Sequence, residues 1–482
     1  MCANHDEYLN ISRRNRMTNG LSRRNFLKIG ALTTGAAILS ACAPAVAPTT
    51  GGEGSAAQAA PVELQWWSFG LGLPPDLYPH GKWEQELADA YMQENPNVTI
   101  AYQAMGWDAL AKMATAITSG NPPHLILRSG IDQILYALEG DVALEVELPQ
   151  EFKDDLPPGW YEGMLYQGKN YMVPFYTLAS GMVLNLSIID EADAMDLVPA
   201  APERTWNFDQ YLELMKKCTF ERSDGSQVWG AVFTTQHTNP FFYWPEQVLS
   251  WNWGTDTVRN ENGQWVCMLG EEEGLAFLQW LQDLYFVHNV IPNPSGLSAS
   301  RWEYWNQRSL LGGVGPDIGW SRRPGMQVDP ETLVVSDTEQ GFDWIFVQVP
   351  TDPGVAHSSV WGGPLLDVNI VPYRTADTNA IQPTIDFALW LANEEHQKWL
   401  AQYLLPVRMS ALEGVEDPML QWHFEHYIPY GRQRMEANGG RAREVVEQLE
   451  LVLQKLFLPT PPEQAVQDFC NTIDTLQWMG SA

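Results

Sequence analysis

The chain has 482 residues, with 59 Asp and Glu against 28 Lys and Arg, for a formal net charge of −31. That balance opposes nucleic acid or an anionic membrane surface as a partner, and five cysteines are too few for a disulfide scaffold. The 21 Trp, 17 Tyr and 17 Phe are a ring excess for so polar a chain.

The N-terminal segment runs against this composition. Ser22-Arg23-Arg24-Asn25-Phe26-Leu27-Lys28 matches the frame of a twin-arginine export signal, in which the arginine pair is read by a receptor. The apolar run that follows, residues 29–41, is too short to span ~30 Å of hydrocarbon as a helix, so it reads as a signal core. Leu39-Ser40-Ala41-Cys42 closes it with the pattern of a lipoprotein signal, in which the Cys42 thiol is lipidated and becomes the first mature residue. Residues 1–41 are therefore expected to be the signal, with Met1 or Met17 as the start, and the Ala-, Pro-, Thr- and Gly-rich residues 42–61 a flexible tether. The leader holds six basic and two acidic residues, so the mature part carries −35 against −31 for the whole. About 440 residues remain after cleavage, enough for two domains.

Past the tether, VELQWWS (62–68) predicts a strand, KWEQELADAYMQEN (82–95) an amphipathic helix stopped by Pro96, and 98–103 a second strand. A helix over 108–118, a turn at 119–123 and the strand HLILR complete a strand-helix-strand-helix-strand series, the signature of a parallel sheet. Ligands of such sheets sit beyond the carboxyl ends of the strands, which here carry Trp67, Ser68 and Phe69, then Arg128 and Ser129. Short strands follow at 171–174 and 181–185, around Tyr176, then a helix at 207–218 and an aromatic-dense loop and helix start at 239–254. NENG (260–263) predicts a hairpin turn and 271–288 a long helix. GGVGPDIG (312–319) lacks the glycine spacing of a nucleotide loop and reads as a turn. Strands at 342–350 and 359–371 and helices at 378–393, 441–456 and 463–478 complete the series.

Little in this series carries reaction chemistry. There is no C-x-x-C and no P-loop, and His423 and His426 flank Glu425 without a third ligand in view, so no metal and no cofactor are expected. Whether any two of Cys218, Cys267 and Cys470 are bridged is open at this point.

Several pieces, in order, resemble the sugar-binding family of extracellular solute-binding proteins, the periplasmic or lipid-anchored receptors that feed ABC importers and include the maltodextrin-binding proteins. They are QENPNVTIAYQ, DALAKMATAITSGNPPHLI, YQGKNYMVPFYTLASGMVLN, PERTWNFDQYLELMKKC, HNVIPN, VPTDPG with WGGPLLDV, and DFALWLANEEHQKWLAQYLLPVRMSAL. The resemblance implies an α/β, two-lobed periplasmic-binding-protein-like fold of class II, with ligand in a cleft between lobes. It implies lobe I at 62–177 and 350–404, lobe II at 181–343 and 408–482, and hinge crossings at 178–180, 344–349 and 405–407. It also implies Asn239 and Phe241 as ligand contacts in N-P-F-F-Y-W-P, and Asp317 and Trp320 just past the G-P at 315–316. Many relatives carry an acidic ligand just past the V-P at 173–174, where this chain has Leu178.

A pyranose offers apolar C–H faces and a hydroxyl rim, so rings, amides and carboxylates suit it. The candidate contacts are Trp67, Phe69, Arg128, Tyr176, Asn239, Phe241, Asp317, Trp320, Trp361, Gly362 and Gly363, the two glycines letting backbone approach the ligand. The expected function is a lipid-anchored, monomeric, non-enzymatic receptor outside the cytoplasmic membrane that hands a carbohydrate to ABC permease subunits. Two alternatives are a polyamine or glycerol-phosphate-like solute on the same fold, and a secreted glycoside hydrolase, for which the strand rhythm of a barrel is lacking.

Overall fold

The computed structural model describes residues 60–475 apart from 71–78, 80, 107–108, 130–133, 135, 139, 158–159, 178, 180, 234–243, 262–263, 295–300, 317, 361–368 and 433–441. Strand β1 (Val62–Ser68) buries Val62, Leu64, Trp66 and Ser68 and exposes Glu63 and Gln65, the period-2 pattern of a pleated surface with one covered face. Helix α1 (Lys82–Glu94) buries Trp83, Leu87, Ala88 and Tyr91, a single stripe at helical spacing, and the Asn95 amide closes it on the Tyr91 carbonyl before Pro96. β2 (Val98–Ala104) returns parallel to β1, and after α2 (Leu110–Thr118) so does β3 (Leu125–Ser129). The chain continues through β4 (Val173–Pro174), β5 (Tyr176–Thr177) and β6 (Met182–Asn185). Next come α3 (Phe208–Lys217), α4 (Trp244–Trp253), the hairpin of β7 (Val258–Glu261) and β8 (Gln264–Cys267), α5 (Glu272–Phe286) and α6 (Arg301–Asn306). β9 (Gly312–Val314), β10 (Met326–Val328), β11 (Val335–Asp337), β12 (Phe342–Val347), β13 (Ser359–Val360) and β14 (Asn369–Pro372) follow. The C-terminal part holds α7 (Ile381–Leu391), α8 (Glu394–Leu400), β15 (Leu405–Pro406), α9 (Pro418–His426), β16 (Gly431–Arg432), α10 (Ala442–Leu456) and α11 (Pro462–Thr475).

Ten of these strands form two five-stranded sheets, one in each lobe of a class II periplasmic-binding-protein fold. The first has the order β2-β1-β3-β14-β4, with β14 antiparallel; Trp66 lies at its core with the rings of Tyr102 and Phe387 each 5.2 Å away, edge to face. The second has the order β9-β6-β12-β11-β10, antiparallel throughout, over a core that includes Trp305, Phe342, Trp344 and Phe346. Near it, α3 starts with a reciprocal cap in which the Gln210 amide donates to Asn207 Oδ1 and the Asn207 amide to Gln210 Oε1, each at 2.9 Å. The helices α10 and α11 pack on one another, and a disulfide between Cys267 and Cys470, with Cα atoms 5.1 Å apart, ties α11 to β8. Cys218 is a buried free thiol.

Sheet membership puts two passages of chain between the two sheets, between β4 and β6 and between β12 and β14, and the stretch after α8 runs against the first of them as a third passage. In the first and third, β5 and β15 pair antiparallel, Thr177 with Leu405 and Tyr176 with Pro406. Gln397, fully buried, clamps both passages: its Nε2 donates to the Phe175 carbonyl and its Oε1 accepts from the Val407 amide at 2.9 Å. The second passage is held by Arg204, whose guanidinium donates to the Phe346 carbonyl at 2.7 Å, and by the Tyr427 hydroxyl, which donates to the Val347 carbonyl at 2.6 Å. The Tyr427 ring lies so close over Gly181 that an added Cβ would fall 1.8 Å from Cζ. Glycine is needed there for space. Past the third passage, Asp155 accepts from Arg408 Nε at 2.6 Å and from the Ser410 amide at 2.7 Å.

Two sequence expectations are corrected. The strand expected over 359–371 is two strands in different ladders: β13 pairs with β16, and β14 joins the first sheet. The physical reason lies just upstream, where the fully buried Asn252 of α4 donates to the Ser358 carbonyl at 2.8 Å, accepts from its amide at 2.9 Å, and so holds this stretch against α4. The run GGVGPDIG, expected as a turn, begins as strand β9, because Gly312 passes so close to the Val183 carbonyl of β6 that only hydrogen fits.

Candidate functional site

The junction between the sheets is built on the second side by the end of β9. The Gly315 amide donates to the Gly181 carbonyl at 2.9 Å and the Gly181 amide to the Pro316 carbonyl at 3.3 Å, which fixes this corner against the first passage. Gly315 has φ +134, and a Cβ there would lie 3.1 Å from Arg301 Nη2 and 3.4 Å from Trp302 Cζ2. The glycine thus lets Arg301 and Trp302, at the start of α6, lie on the backbone. The helical turn Ile318–Arg322 then brings Trp320 to 4.5 Å from Trp302, ring to ring. Arg301 lies over Trp302 at 5.0 Å and Arg323 over Trp320 at 4.0 Å. All four side chains are half-buried. Arg322 points the other way, bonding the Ala401 carbonyl and Asp417 at 2.6 Å each.

On the first side, Trp67 ends β1 half-buried, with the exposed Lys112 of α2 4.6 Å above its ring. Phe69 is 5% exposed and Tyr176 1%, so both rings are core in this conformation, Tyr176 within the β5/β15 ladder. Arg128 lies in β3 at the carboxyl end expected for it, with its side chain outside the described residues. Asn239, Phe241, Asp317, Trp361, Gly362, Gly363 and the lipidation residue Cys42 also lie outside them. The structure therefore brings Trp320 together with Trp302, Arg301 and Arg323, which sequence reasoning did not select. Their signal was local: Arg-Trp at 301–302 and Trp-x-x-Arg at 320–323 set a cation within ring-stacking reach.

Near the second passage, His357 Nδ1 is 2.9 Å from Thr351 Oγ1, and burial, with His426 adding to it, lowers its pKa to about 4. Burial also lowers His423, to about 3, with Nδ1 on the Met419 carbonyl at 2.9 Å, while His426 meets Gln348 at 3.3 Å. The two histidines of α9 thus serve separate partners. Among the described residues no three His, Cys, Asp or Glu side chains group so as to hold a metal ion, and no helix is long and apolar enough to cross a membrane.

A family model described as bacterial extracellular solute-binding protein matches residues 75–365. The chain belongs to that family. It is an extracellular solute-binding protein, located outside the cytoplasm, and not an enzyme. This overturns the hydrolase alternative. No curated protein matches the sequence. Solved structures with the same fold include a solute-binding protein from Thermotoga lettingae bound with α-D-tagatose, at 18% identity and TM-score 0.63, over 86% of this chain and 98% of that one. A substrate-binding protein from Listeria monocytogenes in complex with cycloalternan has 15% identity and TM-score 0.62, over 86% and 98%. A maltotriose-binding protein from Thermus thermophilus has 15% identity and TM-score 0.61, over 85% and 99%. At these identities the family member shares their fold.

Proposed function

We propose that this solute-binding protein captures a carbohydrate between its lobes and delivers it to the permease of an ABC importer. The observation that carries the reading is the half-buried Trp302–Trp320 pair at the corner where Gly315 and Pro316 bond Gly181, beside a passage between the sheets. Relatives of the same fold bound to tagatose, cycloalternan and maltotriose support a saccharide as the solute class. The lobes divide at 62–177 with 350–404 and at 181–343 with 408–482, and closure about the passages at 178–180, 344–349 and 405–407 traps the solute. Trp67 and Trp320 contact the solute, joined by Arg128, Asn239, Phe241, Asp317, Trp361, Gly362 and Gly363. Phe69 and Tyr176 support the site from the core. The protein is a monomer exported by the twin-arginine route and anchored through acylated Cys42. A polyamine is disfavoured, because Lys112, Arg301 and Arg323 each cover a candidate ring with positive charge.

Isothermal titration of the mature protein with tagatose, maltotriose, cycloalternan and spermidine tests the reading. Stoichiometric heat with at least one saccharide is expected. Binding of spermidine with silence toward every saccharide overturns it.

A further inference from the structure

A cavity of about 320 Å³ lies where β8, the turn Met268–Gly270, the start of α5 and helix α11 meet. The Cys267–Cys470 disulfide forms part of its wall, and the exposed Glu271, Glu463 and Gln467 line it as well. The two sulfurs are not equivalent. Cys267 is 6% exposed, whereas Cys470 is half-buried. Gly270 widens the difference, since a Cβ there would fall 2.8 Å from Cys470 Sγ but 3.8 Å from Cys267 Sγ, and its missing side chain leaves the Cys470 sulfur uncovered. Disulfides sealed in a core resist thiols, and those reached from solvent exchange with them.

The charge around this cavity has one sign. No Lys or Arg lines it, and among the described residues neither Glu271 nor Glu463 is paired with a cation. Glu272 and Glu273 extend the negative charge into the first turn of α5. Two cations on adjoining elements are engaged by carboxylates: Arg259, opposite Val266 in the β7–β8 hairpin, bonds Glu261, and Lys455 of α10 bonds Asp468 of α11 at 2.6 Å. An approaching anion is repelled here and a cation is drawn in.

We infer that Cys470 is a site of thiol–disulfide exchange, and that the thiol it takes is small and positively charged. The incoming thiolate forms a bond to Cys470 Sγ as the Cys267–Cys470 bond breaks; the electron pair leaves on Cys267 Sγ, which takes a proton from solvent. A second thiol then attacks the mixed disulfide, returns Cys470 as a thiol and departs as a small disulfide, so the protein is reduced and two thiols are oxidised. Reduction removes the covalent tie between α11 and β8 and leaves packing alone to hold them. The inference does not depend on the identity of the solute.

The test exposes the full mature chain, without denaturant, to cysteamine, 2-mercaptoethanol and 2-mercaptoethanesulfonate, which are cationic, neutral and anionic thiols of similar size. Excess N-ethylmaleimide stops the reaction, and peptide mapping locates the thiol adduct and every alkylated cysteine. Rates per thiolate are divided by those on a neutral small disulfide, which removes differences in nucleophilicity. Cys218, fully buried, is the internal control, since it is alkylated only when the fold opens. The adduct is expected on Cys470 with Cys218 unmodified, and cysteamine about fivefold or more faster than 2-mercaptoethanesulfonate at low salt. High salt narrows that spread, and so do Glu271→Gln and Glu463→Gln, both at exposed positions. An adduct on Cys267, or none until urea also exposes Cys218, overturns the exchange site. Equal corrected rates for the three thiols, or a spread untouched by both glutamine substitutions, overturn the selection by charge.

Discussion

Gln397 offers a direct test of how the passages between the lobes are held. Its amide is fully buried, donates to the Phe175 carbonyl, and accepts from the Val407 amide at 2.9 Å, with the Arg408 amide more distant at 3.4 Å. Phe175 and Val407 are themselves fully buried. Gln397→Met keeps the approximate volume and removes both bonds, leaving a carbonyl and an N–H out of reach of water. At about 1–3 kcal/mol for each orphaned buried group, the substitution costs about 2–6 kcal/mol. The control is Gln382→Met, whose amide meets Asp386 at 2.8 Å on an exposed helix face, four residues away. Such a pair contributes only ~0.2–0.5 kcal/mol. Urea unfolding followed by tryptophan fluorescence measures both, with an unchanged slope expected for Gln397→Met. A loss for Gln397→Met no larger than that of the control would refute the reasoning, since it would mean that the buried groups find other partners.

Other outcomes follow from single contacts. Gly181→Ala is expected to cost about 3 kcal/mol or more, since its Cβ would fall 1.8 Å from the Tyr427 ring; in a double-mutant cycle the change should add little once Tyr427→Ala has emptied the space. His357 is held neutral down to about pH 4, whereas in the unfolded chain it takes up a proton near 6.5, so its stabilisation is complete above 6.5 and lost as pH falls from there toward 4. The full loss is about 3 kcal/mol, and urea midpoints at pH 7 and pH 5 should converge in His357→Gln; equal pH dependence in variant and parent rules the account out. Reduction of Cys267–Cys470, which spans 203 residues, should lower stability by up to ~5 kcal/mol, with the crosslinked peptide found in a non-reducing digest and missing from a reducing one. Burial raises the Cys218 thiol to about 12, so it should react with a thiol reagent only after unfolding.

The first lobe's opening was readable because local patterns there carry the information. The alternation in VELQWWS, the stripe of Trp83, Leu87 and Tyr91 and the stop at Pro96 each depend on a few neighbouring residues, and the elements fall where those residues put them. The capping residues of α3 were likewise inside the expected helix bounds. The reading failed where distant chain decides. Nothing within 359–371 says that Asn252, more than a hundred residues earlier, will hold its start on α4, and nothing in the glycines of 312–315 says that β6 will lie alongside them. The candidate site divides in the same way. Trp67, Arg128 and Trp320 were reached from strand ends and family spacing, whereas the meeting of Trp302 with Trp320, eighteen residues apart, became visible only in the fold, where Gly315 lets Arg301 and Trp302 lie on the backbone.

The chain's own order of residues thus determined its class and most of its helices and strands, because hydrophobic period and caps act over a dozen residues or fewer. The tertiary structure decided which cysteines are joined, which rings are core, and what pins the passages between the sheets. Those outcomes depend on groups hundreds of positions apart being brought within a few ångströms, and no short window of sequence holds both halves of such a contact.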